Sequence, residues 1–147
     1  MLITRFILRF LPIVYMILIW LQSSKFTHES VHGLSTYISN IAILVIGFCL
    51  ELAHLIEFGL LYLFIILAFL TYGKLSTKVE IIGIIVSVLY GITDEIHQYF
   101  IPYRSFSILD IIKDVIGVIV VWWIIHRCYF KSKDSRIGAV LRNINKL

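Results

Sequence analysis

Four apolar stretches, at about residues 6–21, 49–71, 79–98 and 108–126, organise the chain, and short polar segments separate them. A helix rising ~1.5 Å per residue needs ~20 apolar residues to cross ~30 Å of hydrocarbon, so each stretch is predicted to be a membrane span. Thr77 and Glu80 form a T-x-x-E box ahead of the third stretch, and Ser107 and Asp110 form an S-x-x-D box ahead of the fourth. Helix starts are expected at both. Pro102 keeps the intervening segment from being helical throughout.

Between the first two stretches, Val31, Leu34, Ile38, Ile41 and Val45 recur at helical spacing opposite polar residues. That pattern predicts an amphipathic helix on the outer surface. One helix from Ile41 to Thr71 would be ~46 Å long, so a break is expected near Gly47. The first stretch has Arg5 and Arg9 near its start, as a signal peptide would, but no A-x-A site follows it and it is read as a retained span. The expected architecture is therefore all-α and polytopic: one domain over residues 1–147, a four-transmembrane-helix bundle, an outer-surface helix between spans 1 and 2, and a tail over about 127–147.

Composition supports the membrane reading, since 60% of residues are hydrophobic and only 15% charged. A folded core in water would carry far more charge. Cys49 and Cys128 lie in separate stretches near opposite faces, so no disulfide is expected, and no Cys/His zinc spacing occurs. The net charge of +4 comes from Lys and Arg on short flanking segments rather than on one surface. These cations read as orientation signals and not as a nucleic-acid patch. They place both termini and the loop around Lys74 and Lys78 in the cytoplasm of a multi-pass cell-membrane protein.

The candidate chemistry concentrates in "TDEIHQYFIPYRSFSILDIIKD", Thr93 to Asp114, which holds four carboxylates, a histidine, an arginine and a lysine. With the topology above, Asp94, Glu95 and His97 end the third span at the outer interface, and Asp110 and Asp114 begin the fourth. Glu51, His54 and Glu57 enter at the same level from the second. His54 with Glu57 and Asp94 with His97 are i,i+3 pairs, and Asp110 with Asp114 is an i,i+4 pair, so each pair shares a helix face. With Arg104 on the loop above, the set reads as a polar cup open to the outside. Ionisable groups in a membrane normally face the bundle and mark function.

Plainer roles compete at each position. Glu80 and Asp110 suit helix N-termini, and Arg104 can serve as a structural ion-pair partner. As a functional group its planar fork matches a phosphate or carboxylate. His54, Glu57, His97 and Glu95 are candidate ligands for a divalent metal, with no diagnostic spacing. His126 and the tail cations read as interface anchors, His28 and His32 as solvated, and Trp20, Trp122 and Trp123 as lipid-facing or belt residues. Gly83, Gly91 and Gly117 would let helices approach closely.

"AHLIEF" (Ala53–Phe58), "DEIHQYFIPYRSFSILD" (Asp94–Asp110) and "IIKDVIG" (ending at Gly117) resemble the VanZ-like membrane proteins. The prototype of that family accompanies glycopeptide resistance genes and is linked to teicoplanin resistance. The resemblance places family positions on His54, Glu57, Asp94, Glu95, Gln98, Arg104, Asp110, Asp114 and Gly117. Phe58 stands where the family often has tyrosine, and Tyr103 where glycine usually precedes the loop arginine. Glu51 and Leu52 replace a basic pair. The resemblance implies an envelope role without a settled mechanism.

Three functions remain open. A non-enzymatic protein would bind or handle an envelope lipid, a cell-wall lipid precursor or a lipid-tailed glycopeptide at the outer leaflet. A metal-assisted enzyme would act on a phosphate-linked lipid, although no hydrolase motif marks catalytic residues. A small proton-coupled transporter would relay protons through the acidic groups, and with four spans and no inverted repeat it would need to be a dimer.

Overall fold

The computed structural model describes residues 2–25, 40–102, 104–132 and 134–144; within these, the side chains of residues 25, 40, 43–44, 46–51 and 54 are not described. Five α-helices account for most of the described residues: α1 (Leu2–Lys25), α2 (Asn40–Leu70), α3 (Thr77–Tyr99), α4 (Ile108–His126) and α5 (Arg136–Ile144). A π-helical turn, Arg127–Lys131, joins α4 to the last segment. No strand occurs among the described residues.

α4 has the bounds its sequence pattern predicts, and α3 exceeds its predicted stretch by two residues before and one after. The Ser107 cap also forms, its hydroxyl accepting from the Asp110 N–H at 3.2 Å. The cap of α3 does not lie where the box placed it. Ser76 is the cap, with extended backbone at φ −133° and ψ 158°, and its hydroxyl accepts from Val79 N–H at 3.4 Å. Glu80 is released from capping and turns into the bundle, where it is fully buried.

α2 departs further from expectation, because its 31 residues run without the break predicted near Gly47. A mid-helix glycine costs only ~1 kcal/mol relative to alanine, and no proline follows to stop the helix. Ile41 and Val45, assigned by pattern to an amphipathic surface helix, belong to α2, and both are exposed. The remainder of that predicted helix, with His28 and His32, lies outside the described residues. α1 carries Pro12 in its interior.

α2 is the central element. Its Phe58, Leu61, Tyr62, Ile65, Ile66 and Leu70 are buried together with Ile19 of α1 and Val118 and Ile125 of α4. α1 runs antiparallel to α2, since Arg9 meets Thr71 and Tyr15 packs edge-on against Phe64. α1 runs parallel to α3, because Tyr90 Oη donates to the Met16 carbonyl at 2.6 Å and, further along both helices, Ser23 meets Asp94 and Ser24 meets His97. The most extensive packing is between α2 and α4. There a Cβ built on Gly117 would fall onto the Leu55 carbonyl, and one on Gly59 would come within 3.0 Å of the Gly117 carbonyl oxygen. Backbones this close exclude any side chain, as in small-residue contacts between membrane helices.

The segment beyond α4, expected as a tail, folds back. α5 buries Leu141 and Ile144, and Arg142 Nη1 donates to the carbonyls of Cys128 at 3.3 Å and Tyr129 at 3.0 Å. These bonds satisfy carbonyls that the end of a helix leaves open.

Polarity is distributed inside out along α3. Its buried residues are Glu80, Gly83, Ser87, Gly91, Asp94, Glu95 and Gln98, whereas Ile81, Ile82, Ile85, Leu89 and Ile96 are exposed. Among the described residues one helix, Leu2–Ser24, is long and apolar enough to cross a membrane by length and composition, and Leu55–Leu70 is a shorter apolar run. α4 is apolar but carries Asp110, Lys113 and Asp114 in its first two turns.

The contact between α2 and α4 gives a first prediction. Gly117→Ala should force the backbones apart and lower stability by about 2 kcal/mol or more, the cost of overpacking a tight contact. Gly73→Ala should have little effect, because nothing lies within 4 Å of the added methyl. Thermal unfolding of the detergent-solubilised protein measures both; equal midpoints for the two variants would contradict the packing account.

Candidate functional site

The last turns of α1 and α3, the loop after α3 and the first turns of α4 meet at one end of the bundle. Asp94 lies at its centre, 1% exposed. The Ser23 hydroxyl sits 2.7 and 2.8 Å from its two carboxylate oxygens, and Gln98 Nε2 donates to Oδ2 at 2.6 Å. Gln98 Nε2 also lies 3.3 Å from Ser23 Oγ. A carboxylate buried among apolar helices is tolerable only with such donors. The helical period supplies Gln98 one turn above Asp94, and α1 ends at the right height to supply Ser23.

Glu95 is also buried, and its Oε2 accepts from the Ser107 backbone N–H at 2.9 Å. In a capping box, a side chain three residues into a helix reaches back to the cap's N–H. Here a residue of α3 performs that task for α4, and it fixes where α4 begins. Both neighbours Asp94 and Glu95 thus face inward, one toward α1 and the other toward α4.

Asp114 is 2% exposed and lies against α3. Its Oδ2 is 3.1 Å from a Cβ built on Gly91, so a carboxylate fits there because position 91 has no side chain. Asp110, which shares the i,i+4 spacing, is only partly buried and pairs with Lys113 at 2.6 Å. The two aspartates therefore differ in environment, one in the bundle and one at its rim.

Arg104 Nη1 donates to the Ser23 carbonyl at 3.1 Å. The loop arginine thus ties the α3–α4 connection to the end of α1 through the same residue that binds Asp94. His97 stacks on Trp20, with ring centroids 3.6 Å apart, and its Nε2 is 3.0 Å from Ser24 Oγ. Ser24 Oγ donates to the Trp20 carbonyl at 2.7 Å, so its proton is committed and the Nε2–H tautomer of His97 is the one that completes the pair. Trp20, expected at the lipid surface, spends one ring face on this stack.

Glu57 stands beside this network in the groove between α1 and α2. Its Oε2 is 3.5 Å from Gln22 Nε2, and both residues line a cavity of about 430 Å³ together with Tyr15, Leu52, Ala53 and Ile56. His54 lies one turn earlier on α2, and its side chain is outside the described residues.

The structure therefore brings Asp94, Gln98 and Arg104 together around Ser23, with Glu95 and Asp114 buried on the facing sides of α3 and α4. Glu57 occupies the adjoining groove, His97 turns toward α1, and Asp110 sits at the rim. Among the described residues, no three His, Cys, Asp or Glu side chains converge as a metal site would require. Sequence reading missed Ser23, Ser24 and Gln22. The only signal was a polar "LQSS" run at the end of an apolar helix, and its meaning depends on a neighbour 71 residues away.

Ser23→Ala should cost about 1.5–3 kcal/mol, the range for a hydrogen bond to a charged group, because Asp94 then loses a buried donor. Asp94→Asn combined with Ser23→Ala should cost less than the sum of the single changes, since the two share one interaction. A double-mutant cycle read by thermal unfolding checks this, and strict additivity would count against the network.

A family model described as VanZ/LLP1 matches residues 6–130, which contain α1 to α4 almost whole and every residue of the site. No significant match was found among curated proteins or among solved structures. On the extent of the family match, the chain belongs to the VanZ/LLP1 family.

Proposed function

We propose that this VanZ-family protein is a four-span protein of the cell membrane that binds the polar group of an envelope lipid, or of a lipid-tailed glycopeptide, at the outer leaflet. In this reading α1 to α4 cross the bilayer, the termini and the α2–α3 loop are cytoplasmic, and the Asp94 end faces outward. Helix lengths of 24, 31, 23 and 19 residues support it, since at ~1.5 Å per residue the shortest still spans ~28 Å. α2 exceeds the hydrocarbon thickness and would tilt or project. The inside-out polarity of α3 supports it as well. In water, turning Ile81, Ile85 and Leu89 outward and Glu80, Ser87 and Asp94 inward would forfeit the main driving force for folding.

One observation carries the binding reading: the cavity of about 430 Å³ between α1 and α2 is lined by Tyr15, Leu52, Ala53 and Ile56 together with the polar Gln22 and Glu57. Ser23, next to Gln22 in sequence, leads directly to Asp94 and Arg104. A chain-like apolar group would lie along such walls while an attached polar group meets the amide and carboxylate. VanZ membership supports a tie to glycopeptide resistance, and a lipid-tailed glycopeptide presents both features at the outer leaflet.

The test is antibiotic tolerance in a susceptible host expressing the chain. Glu57→Leu should reduce teicoplanin tolerance to that of cells lacking the protein, and Arg104→Lys, which keeps charge but loses the planar fork, should reduce it substantially. Tolerance to a glycopeptide without a lipid tail should not change. Variants present at normal membrane levels that retain full teicoplanin tolerance would contradict the proposal.

A further inference from the structure

The polar face of α3 does not end at the site. Going down its buried side, successive turns carry or touch an oxygen-bearing side chain. Asp94 comes first, then Asp114 against Gly91, then Ser87, then the Tyr62 ring at 3.0 Å from a Cβ built on Gly83, and finally Glu80. The 14 positions from Asp94 to Glu80 span ~21 Å, and steps of three or four residues span ~4.5–6 Å. One water with two hydrogen bonds of ~2.8 Å bridges such a step.

Two further observations distinguish this row from a stripe of small residues. Tyr62 Oη is buried and has no hydrogen-bond partner among the described residues. Buried hydroxyls are seldom left so, and an ordered water is the usual partner. At the far end, Glu80 is fully buried, and His126 Nδ1 lies 3.1 and 3.2 Å from its carboxylate oxygens. The His126 side chain is 31% exposed, so the pair connects the interior with the surface.

We propose that this row conducts protons between the Asp94 end of the bundle and His126. A proton taken up by the Asp94 or Asp114 carboxylate passes through bound waters and the Tyr62 hydroxyl, each of which accepts one proton on oxygen and releases another. Ser87, whose hydroxyl donates to the Gly83 carbonyl at 2.9 Å, offers its oxygen as an acceptor that orients the water beside it. Glu80 receives the proton and the partly exposed His126 imidazole, 3.1 Å away, transfers it to solvent. Only O–H and N–H bonds form and break, and a counter-ion balances the charge moved. The titratable groups facing the path are Tyr62 from α2, Asp114 and His126 from α4, and Glu80 and Asp94 of α3 itself, with Arg104 at its upper end. Membrane proton relays are built from the same residue types. The proposal shares the spanning arrangement with the function above and does not depend on the ligand.

The full chain reconstituted in liposomes with an entrapped pH dye, under a potassium gradient with valinomycin, tests it. The intact protein should change the internal pH faster than protein-free liposomes do. Glu80→Gln and Tyr62→Phe should reduce the rate to the protein-free level. Tyr62→Phe keeps the ring that packs on Gly83, and an unchanged unfolding midpoint shows that the bundle persists. A wild-type rate equal to that of empty liposomes, or wild-type rates in both variants, would overturn the proposal. Loss of flux with teicoplanin tolerance retained in Glu80→Gln separates this path from the binding function.

Discussion

The bundle depends on finding partners for carboxylates buried in its interior. α3 turns Glu80, Asp94 and Glu95 inward, and each meets a polar partner from another element: His126 of α4, Ser23 of α1 and the Ser107 backbone N–H. An ionised carboxylate left bare in such surroundings would be prohibitively costly, so these contacts specify how the helices assemble as well as stabilise them. Ser23 sets the height of α1, Glu95 sets the start of α4, and His126 fixes the opposite end. Apolar packing around α2 then closes the remaining space, with Gly117 and Gly59 permitting α4 to approach closely.

This arrangement bears on what the site can do. Asp94 accepts from Ser23 and Gln98, and Arg104 is held by the Ser23 carbonyl, so the centre of the network is preorganised. Glu57 differs in its setting, because it and Gln22, 3.5 Å away, line a cavity with apolar walls. A visiting polar group would meet Glu57 and Gln22 first, with the rigid Asp94 network behind them. Rigid support behind an accessible contact is what selective recognition requires.

Much of this was legible in the sequence because long apolar helices are punctuated by polar residues. The bounds of α4, the Ser107 cap and the placing of Asp94, Glu95, Arg104 and Asp114 toward one end follow from local spacing, whereas Gln98 came only with the family resemblance. What escaped depends on distant partners. Glu80 fits a capping box in sequence, yet Ser76 takes the cap and His126, 46 positions away, takes the carboxylate. Ser23 looks like the polar end of a span until Asp94 arrives beside it. The unbroken α2 was missed because a glycine inside an apolar run weakens a helix without ending it. α5 was missed because its nine residues gain their stability from packing on the π-helical turn.

The central claim is that polar groups from three helices meet at the end of the bundle facing outward. Membrane-impermeant maleimide labelling of intact cells tests it most directly, using chains in which Cys49 and Cys128 are replaced by alanine. A cysteine at position 22 should label from outside, whereas one at position 76 should label only after permeabilisation. Labelling of position 76 in intact cells, with position 22 protected, would place the Asp94 site in the cytoplasm and contradict the account.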